Sequence, residues 1–139
     1  MNINKYFSFA KNISQYSCFC GDKTSRHTGC VIIHKNRVIS VGYNTNKEHP
    51  MQKKYNKERG FNTDNCINSL HAEMAAIIKS DGYNIDWSKA TIFVYRERAN
   101  GKCAMARPCK ACMKAITDRG IRLDHIYYTN EKGEYEVCE

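Results

Sequence analysis

Apolar and polar positions alternate along this chain in a regular succession of periods. Between Asn4 and about Ser17, the residues Tyr6, Phe7, Phe9, Ala10, Ile13 and Tyr16 recur at helical spacing, which predicts an amphipathic first helix. Two short runs rich in β-branched residues follow, Gly29 to His34 and Val38 to Tyr43. The polar Lys35, Asn36 and Arg37 between them have the length of a hairpin turn. The stretch from Asn44 to about Cys66 is polar and reads as a loop. A compact apolar run, Met74 to Ile78, then predicts a helix that starts after Asn68 or Ser69 as cap, carries His71 and Glu73 in its first turn, and stops near Gly82. Ala90 to Tyr95 reads as a third strand. Pro108 suits the first turn of a further helix that bears Cys109 and Cys112 and runs to about Arg119, with Gly120 as its stop. Asp124 to Thr129 is a fourth strand. The turn-forming residues up to Gly133 leave room only for a tight reversal, so the last strand-like run should pair antiparallel with the fourth.

Composition narrows the class. A chain of 139 residues, 42% of them hydrophobic, has the size of one domain and can bury a core of its own. Nothing in it resembles a linker or a low-complexity segment. No apolar run approaches the roughly 18 residues of a membrane span, and the first residues lack the basic and apolar regions of an export signal. A cytoplasmic protein is therefore expected, with most of its eight cysteines reduced. The net charge of +8 points to an anionic partner, which either a nucleotide or a single-stranded nucleic acid satisfies. No membrane partner is expected, and association into a homo-oligomer is left open.

The chemistry concentrates in two motifs, His71-Ala72-Glu73 and Pro108-Cys109-Lys110-Ala111-Cys112. A catalytic zinc takes three protein ligands and keeps its fourth position for water or substrate. His71, Cys109 and Cys112 supply three, and Glu73 is left over to carry protons. Taken alone, a CxxC pair is more often a structural zinc knuckle or a redox pair, and an HxE on a helix is usually surface. In this order, with proline before the first cysteine and an apolar helix after the glutamate, the catalytic reading is favoured. A second zinc among Cys18, Cys20, Cys66 or Cys103 with His27 or His49 is the weaker expectation, since no second CxxC exists.

The same two motifs resemble those of the cytidine and deoxycytidylate deaminase superfamily of zinc-dependent nucleobase deaminases. The resemblance implies an α/β, three-layer cytidine-deaminase-like fold over essentially the whole chain, with a mixed five-stranded sheet and the zinc-bearing helices on one face. It implies a reaction in which zinc activates water, Glu73 shuttles the proton, and the exocyclic amine of the base leaves as ammonia. It also implies that Asn44, at the end of Gly42-Tyr43-Asn44, contacts the sugar or base, and that the Ala72 backbone amide donates to the base. Thr28-Gly29-Cys30-Val31-Ile32 and Gly42-Tyr43-Asn44 look like deoxycytidylate deaminases. In that branch, however, a helix precedes a parallel fifth strand, and the antiparallel hairpin expected here departs from it.

Two basic groups bear on the substrate. Lys47, Lys53, Lys54, Lys57 and Arg59, interleaved with His49, Tyr55 and Phe61, could follow a phosphate backbone and stack a base, although a solvated charged loop would look the same. Arg96, Arg98, Lys102 and Arg107 lie between the third strand and the cysteine helix, and Arg96 and Arg98 are the preferred phosphate contacts. The favoured substrate is cytosine in a free nucleoside or nucleotide. The alternatives are cytosine or adenine in single-stranded DNA or RNA, and a zinc-stabilised binding module without activity.

Overall fold

The computed structural model describes residues 2–17, 27–45, 47, 49–58 and 70–138. Four helices, α1 (Ile3–Ser14), α2 (Pro50–Glu58), α3 (Ala72–Lys79) and α4 (Lys110–Arg119), accompany five strands: β1 (His27–His34), β2 (Arg37–Tyr43), β3 (Thr91–Glu97), β4 (Ile126–Thr129) and β5 (Tyr135–Val137). The strands form one sheet in the order β2-β1-β3-β4-β5. Only β3 and β4 run parallel. This is the mixed α/β sheet expected, and β5 returns antiparallel through the Asn130–Gly133 turn as anticipated.

Strand alternation divides the interior into two faces. Val31, Ile33, Phe93 and Tyr95 point to one side, where they pack against Tyr6, Phe7 and Ala10 of α1. Cys30, Ile32, Ile92, Val94, Ile126 and Tyr128 point to the other, against Ala72, Ala76 and Ile77 of α3 and Ile116 of α4. Three layers result, with α3 and α4 on one face. At Gly29 the backbone of α1, and at Gly42 that of α3, comes so near the sheet that a Cβ would lie within 2.0 and 2.2 Å of a carbonyl oxygen. Glycine is required at both for that reason.

The β1–β2 turn consists of Lys35 and Asn36, both with positive φ, and an intervening bulge lies at Ile32/Ile33. The stretch read as a polar loop holds α2. Pro50 starts that helix, and its buried positions are Gln52, Tyr55 and Asn56. The inward face is thus mostly polar in composition, so hydropathy alone concealed the helix. On α1 the buried face is Tyr6, Phe7 and Ala10, while Phe9 and Tyr16 are exposed. Among the described residues no helix is long and apolar enough to cross a membrane.

Candidate active site

α3 and α4 each begin at the sheet with a residue whose side chain belongs to the site. His71, not Asn68 or Ser69, is the N-cap of α3, and Asn68 and Ser69 lie outside the described residues. The His71 backbone is extended and its side chain makes no capping hydrogen bond, so the ring can turn toward α4. Cys109 is the N-cap of α4, which leaves Pro108 just before the helix and not in its first turn. Cys112 sits at the third helical position, and its backbone N–H donates to Cys109 Sγ at 3.5 Å, as it would to a capping serine.

These caps bring three donors together. His71 Nδ1 is 3.3 Å from Cys112 Sγ and 3.6 Å from Cys109 Sγ. A tetrahedral zinc with ordinary bond lengths has N···S edges of about 3.6 Å, close to both distances here, so the donor set suits such an ion. Two sulfurs and an imidazole are also the donor types that suit zinc. Donation from the Cys112 thiol, followed by contact with His71, holds the Cys109 thiol down to about 4, whereas Cys112, hydrogen-bonded as donor and buried, is pushed well up. Among the described residues this is the one group of three metal-type donors. Cys18, Cys20 and Cys66, named for a second zinc, lie outside them.

Glu73 is buried beside the trio at the second position of α3. Burial raises its carboxyl above the ordinary carboxylate range, and the neighbouring His71 draws it part of the way back. Burial thus favours the protonated carboxyl more than in an exposed glutamate, which suits a group that takes up a proton.

The described residues enclose a cavity of about 190 Å³ lined by Thr28, Asn44, His71, Ala72, Glu73, Arg96, Ala106, Arg107 and Cys109. Asn44 Oδ1 accepts from the Thr28 N–H at 2.9 Å and from Ser17 Oγ, so its amide is oriented by β1 and by the end of α1. Arg96 follows Ile92 and Val94 on the face of β3 that meets α3, which brings it to the cavity. Arg98 does not reach it. The chain turns sharply after β3, with the Lys102 carbonyl accepting from the Arg98 N–H at 2.8 Å, and the exposed guanidinium lies 3.5 Å from Glu131. Arg107, of the same basic group, lines the cavity and Arg98 does not. The Arg107 guanidinium donates to Tyr128 Oη at 3.2 Å and lies over the Tyr128 ring, 5.7 Å from the centroid. Its position directly before Pro108-Cys109 was a usable signal for it. Thr28 stood only as the first residue of the Thr28-Gly29-Cys30-Val31-Ile32 run, and Ala106 carried no signal.

On α2, Tyr55 is buried against Met74, Ala111 and Ala115, and its hydroxyl donates to Asp118 Oδ2 at 3.0 Å. It cannot stack a base. Arg59 and Phe61 of the same basic group lie outside the described residues.

A buried glutamate facing two cysteines and a histidine, at paired helix ends above a mixed sheet, defines a deaminase-type α/β protein. The sequence matches, over residues 1–128, the model of the cytidine and deoxycytidylate deaminase zinc-binding region, and the chain belongs to that family. Similar solved structures include the dCMP deaminase of cyanophage S-TIM5 in apo form, at 22% identity and TM-score 0.59, covering 94% of this chain and 86% of that one. The same phage enzyme in complex with dCMP and dUMP aligns at 19% identity and TM-score 0.57, over 94% of this chain and 84% of that one. The cytidine deaminase of Mycobacterium leprae aligns at 17% identity and TM-score 0.57, over 99% and 93% of the two chains. At these identities the likeness concerns the fold. No curated protein matches the chain.

Proposed function

We propose that this protein catalyses the zinc-dependent hydrolytic deamination of cytosine to uracil in a free nucleoside or nucleotide, with a monophosphate such as deoxycytidylate as the favoured substrate. The observation that carries the reading is the buried Glu73 beside His71, Cys109 and Cys112 at the base of a cavity whose lining also includes Arg96 and Arg107. His71, Cys109 and Cys112 would hold the zinc, which when bound lowers the pKa of a coordinated water toward neutrality. Glu73 accepts the proton that water releases as its oxygen attacks the ring carbon bearing the amine. Glu73 gives that proton to the ring nitrogen, then takes the second from the new hydroxyl on the ring carbon and passes it to the amine, which leaves as ammonia while the ring carbon keeps the oxygen as a carbonyl. The Ala72 N–H, at the start of α3, is suited to an acceptor on the base. Asn44 orients the sugar or base, and Arg96 and Arg107 face a phosphate.

The cavity is small beside ordinary ligand sites of about 300–1,000 Å³, which favours a one-ring base. The phage neighbour's complex contains dCMP and dUMP, a substrate and product pair of this type. Purified protein incubated with nucleosides, monophosphates and single-stranded oligonucleotides, with products read by mass, tests the proposal. Conversion of a cytosine monomer is expected, and Arg96→Ala and Arg107→Ala should each raise KM for the monophosphate more than for its nucleoside. Rapid conversion of oligonucleotides alone, abolished by Lys53→Glu with Lys54→Glu, would replace this reading with the polynucleotide one.

A further inference from the structure

α3 begins without either half of an ordinary capping arrangement. In a capping box, the N-cap side chain serves the backbone N–H at the third helical position, and the side chain at that position reaches back to the N-cap N–H. Here the N-cap is His71, whose side chain turns to the cysteines, and the third position is Met74, which has no oxygen to offer. The His71 N–H is nevertheless met. Gln52 Oε1 accepts it at 3.1 Å, from the first turn of α2. The Gln52 side chain is fully buried, and its Nε2 donates to Asn56 Oδ1 at 2.9 Å one turn further along.

A buried amide is tolerated only when its polar atoms have partners, and any apolar side chain of that size would pack in its place without that demand. The partner it selects is the backbone of a metal-site residue. α2 is itself fixed to the remaining donor-bearing helix, because Tyr55 packs on Ala111 and Ala115 and bonds Asp118 of α4. The residue before His71 is tied separately, with Leu70 paired to Thr45 and Lys47. Gln52 thus bonds the residue whose φ and ψ decide where the imidazole points, and it does so from a helix braced on α4.

We propose that Gln52 is a positioning residue for the metal centre: by holding the His71 N–H it aims His71 Nδ1 at the cysteine pair and thereby sets metal affinity. This rests on His71, Cys109 and Cys112 holding zinc. Partners that hydrogen-bond a ligand's own ring or carboxylate change metal affinity by about 10- to 100-fold when removed, and Gln52 would act on the same ligand through its backbone.

The test compares wild type, Gln52→Met, which keeps the length and loses the acceptor, and Gln52→Glu, which restores an acceptor. Zinc affinity is measured by competition with a chromogenic chelator, the ligand field by the absorption of the cobalt(II)-loaded protein, and the stability of the metal-free protein by urea unfolding. Gln52→Met is expected to weaken zinc by about tenfold or more and to alter the cobalt spectrum, with Gln52→Glu close to wild type in both. Should Gln52→Met fail to fold, the Gln52→Glu protein still decides, since it must retain zinc and the wild-type spectrum. A folded Gln52→Met protein with wild-type affinity and spectrum, whatever its urea stability, overturns the proposal, as does a folded Gln52→Glu protein that loses zinc. Wild type that binds no zinc would instead refute the metal reading on which the proposal stands.

Discussion

Replacing Gly42 with alanine should displace the end of α3 that bears His71 and Glu73. A Cβ at Gly42 would fall 2.2 Å from the Ala72 carbonyl oxygen, 2.6 Å from the Ala76 nitrogen and 3.1 Å from Ala75 Cβ. Two of these are helix backbone atoms, so no side-chain rotation relieves the clash. To bring the nearest contact out to the 3.0 Å that real Cβ atoms respect, helix and strand must separate by about 0.8 Å. Overpacking of this sort destabilises by about 1–3 kcal/mol, and contacts with backbone put Gly42→Ala at the upper end. A misplacement near 1 Å lowers turnover by about 100-fold. Gly29→Ala is the control, because its Cβ would meet the Ala10 carbonyl oxygen at 2.0 Å on the opposite face, where α1 carries no metal donor. Urea unfolding, zinc affinity and turnover are measured on both proteins. Both should lose stability; Gly42→Ala should lose zinc affinity and most of its turnover, and Gly29→Ala should keep its zinc affinity. Wild-type zinc binding and turnover in Gly42→Ala, or equal loss of zinc in Gly29→Ala, would refute the argument.

Glu73→Gln is expected to keep its zinc by elemental analysis and to lose about 100-fold or more in turnover, since it removes the proton carrier and no ligand. Cys109→Ala should lose zinc and activity together, and its thermal unfolding should no longer respond to added chelator, as that of wild type does. Asp118 is held below the ordinary carboxylate value first by Lys114 and then by the Tyr55 hydroxyl. Its contribution to stability is therefore complete above the unfolded-state pKa and is lost as pH falls through the lower folded value. In Tyr55→Phe the Asp118 midpoint, followed by carbon-detected NMR titration, should rise, and an unchanged midpoint would assign the depression to Lys114 alone.

The strands were legible because each is a run of β-branched and aromatic residues bounded by turn formers, and the sheet's antiparallel edge was legible in the turn formers Asn130 to Gly133 between two strand-like runs. The candidate metal donors were legible because the two motifs resemble those of the family, with Cys109 and Cys112 three residues apart at one helix start, although both helix starts were misplaced. His71 and Cys109 are themselves the caps, and histidine and cysteine are not residues from which a cap is ordinarily read. α2 was missed since Gln52 and Asn56 are buried for their hydrogen bonds and not for apolar character. The failure of Arg98 to reach the cavity turned on where β3 ends. Two residues beyond Arg96 the side chain would have returned to the same face only if the strand had continued, and the chain reverses there instead.

Gly29 and Gly42 lie beside each other on neighbouring strands, Gly29 opposite Tyr43 and Gly42 opposite Cys30, with their helices on opposite sides of the sheet. At this point the molecule is as thin as a helix, sheet and helix stack can be, with backbone lying directly on backbone. Domains that open by shear slide helices over a layer of side chains whose rotamers absorb the small shifts. At these two glycines no such layer intervenes, so the contacts of α1 and of α3 with the sheet there have no side chain to absorb a slide. His71 and Glu73, at the end of α3 that rests on Gly42, are thereby held in one place against the sheet.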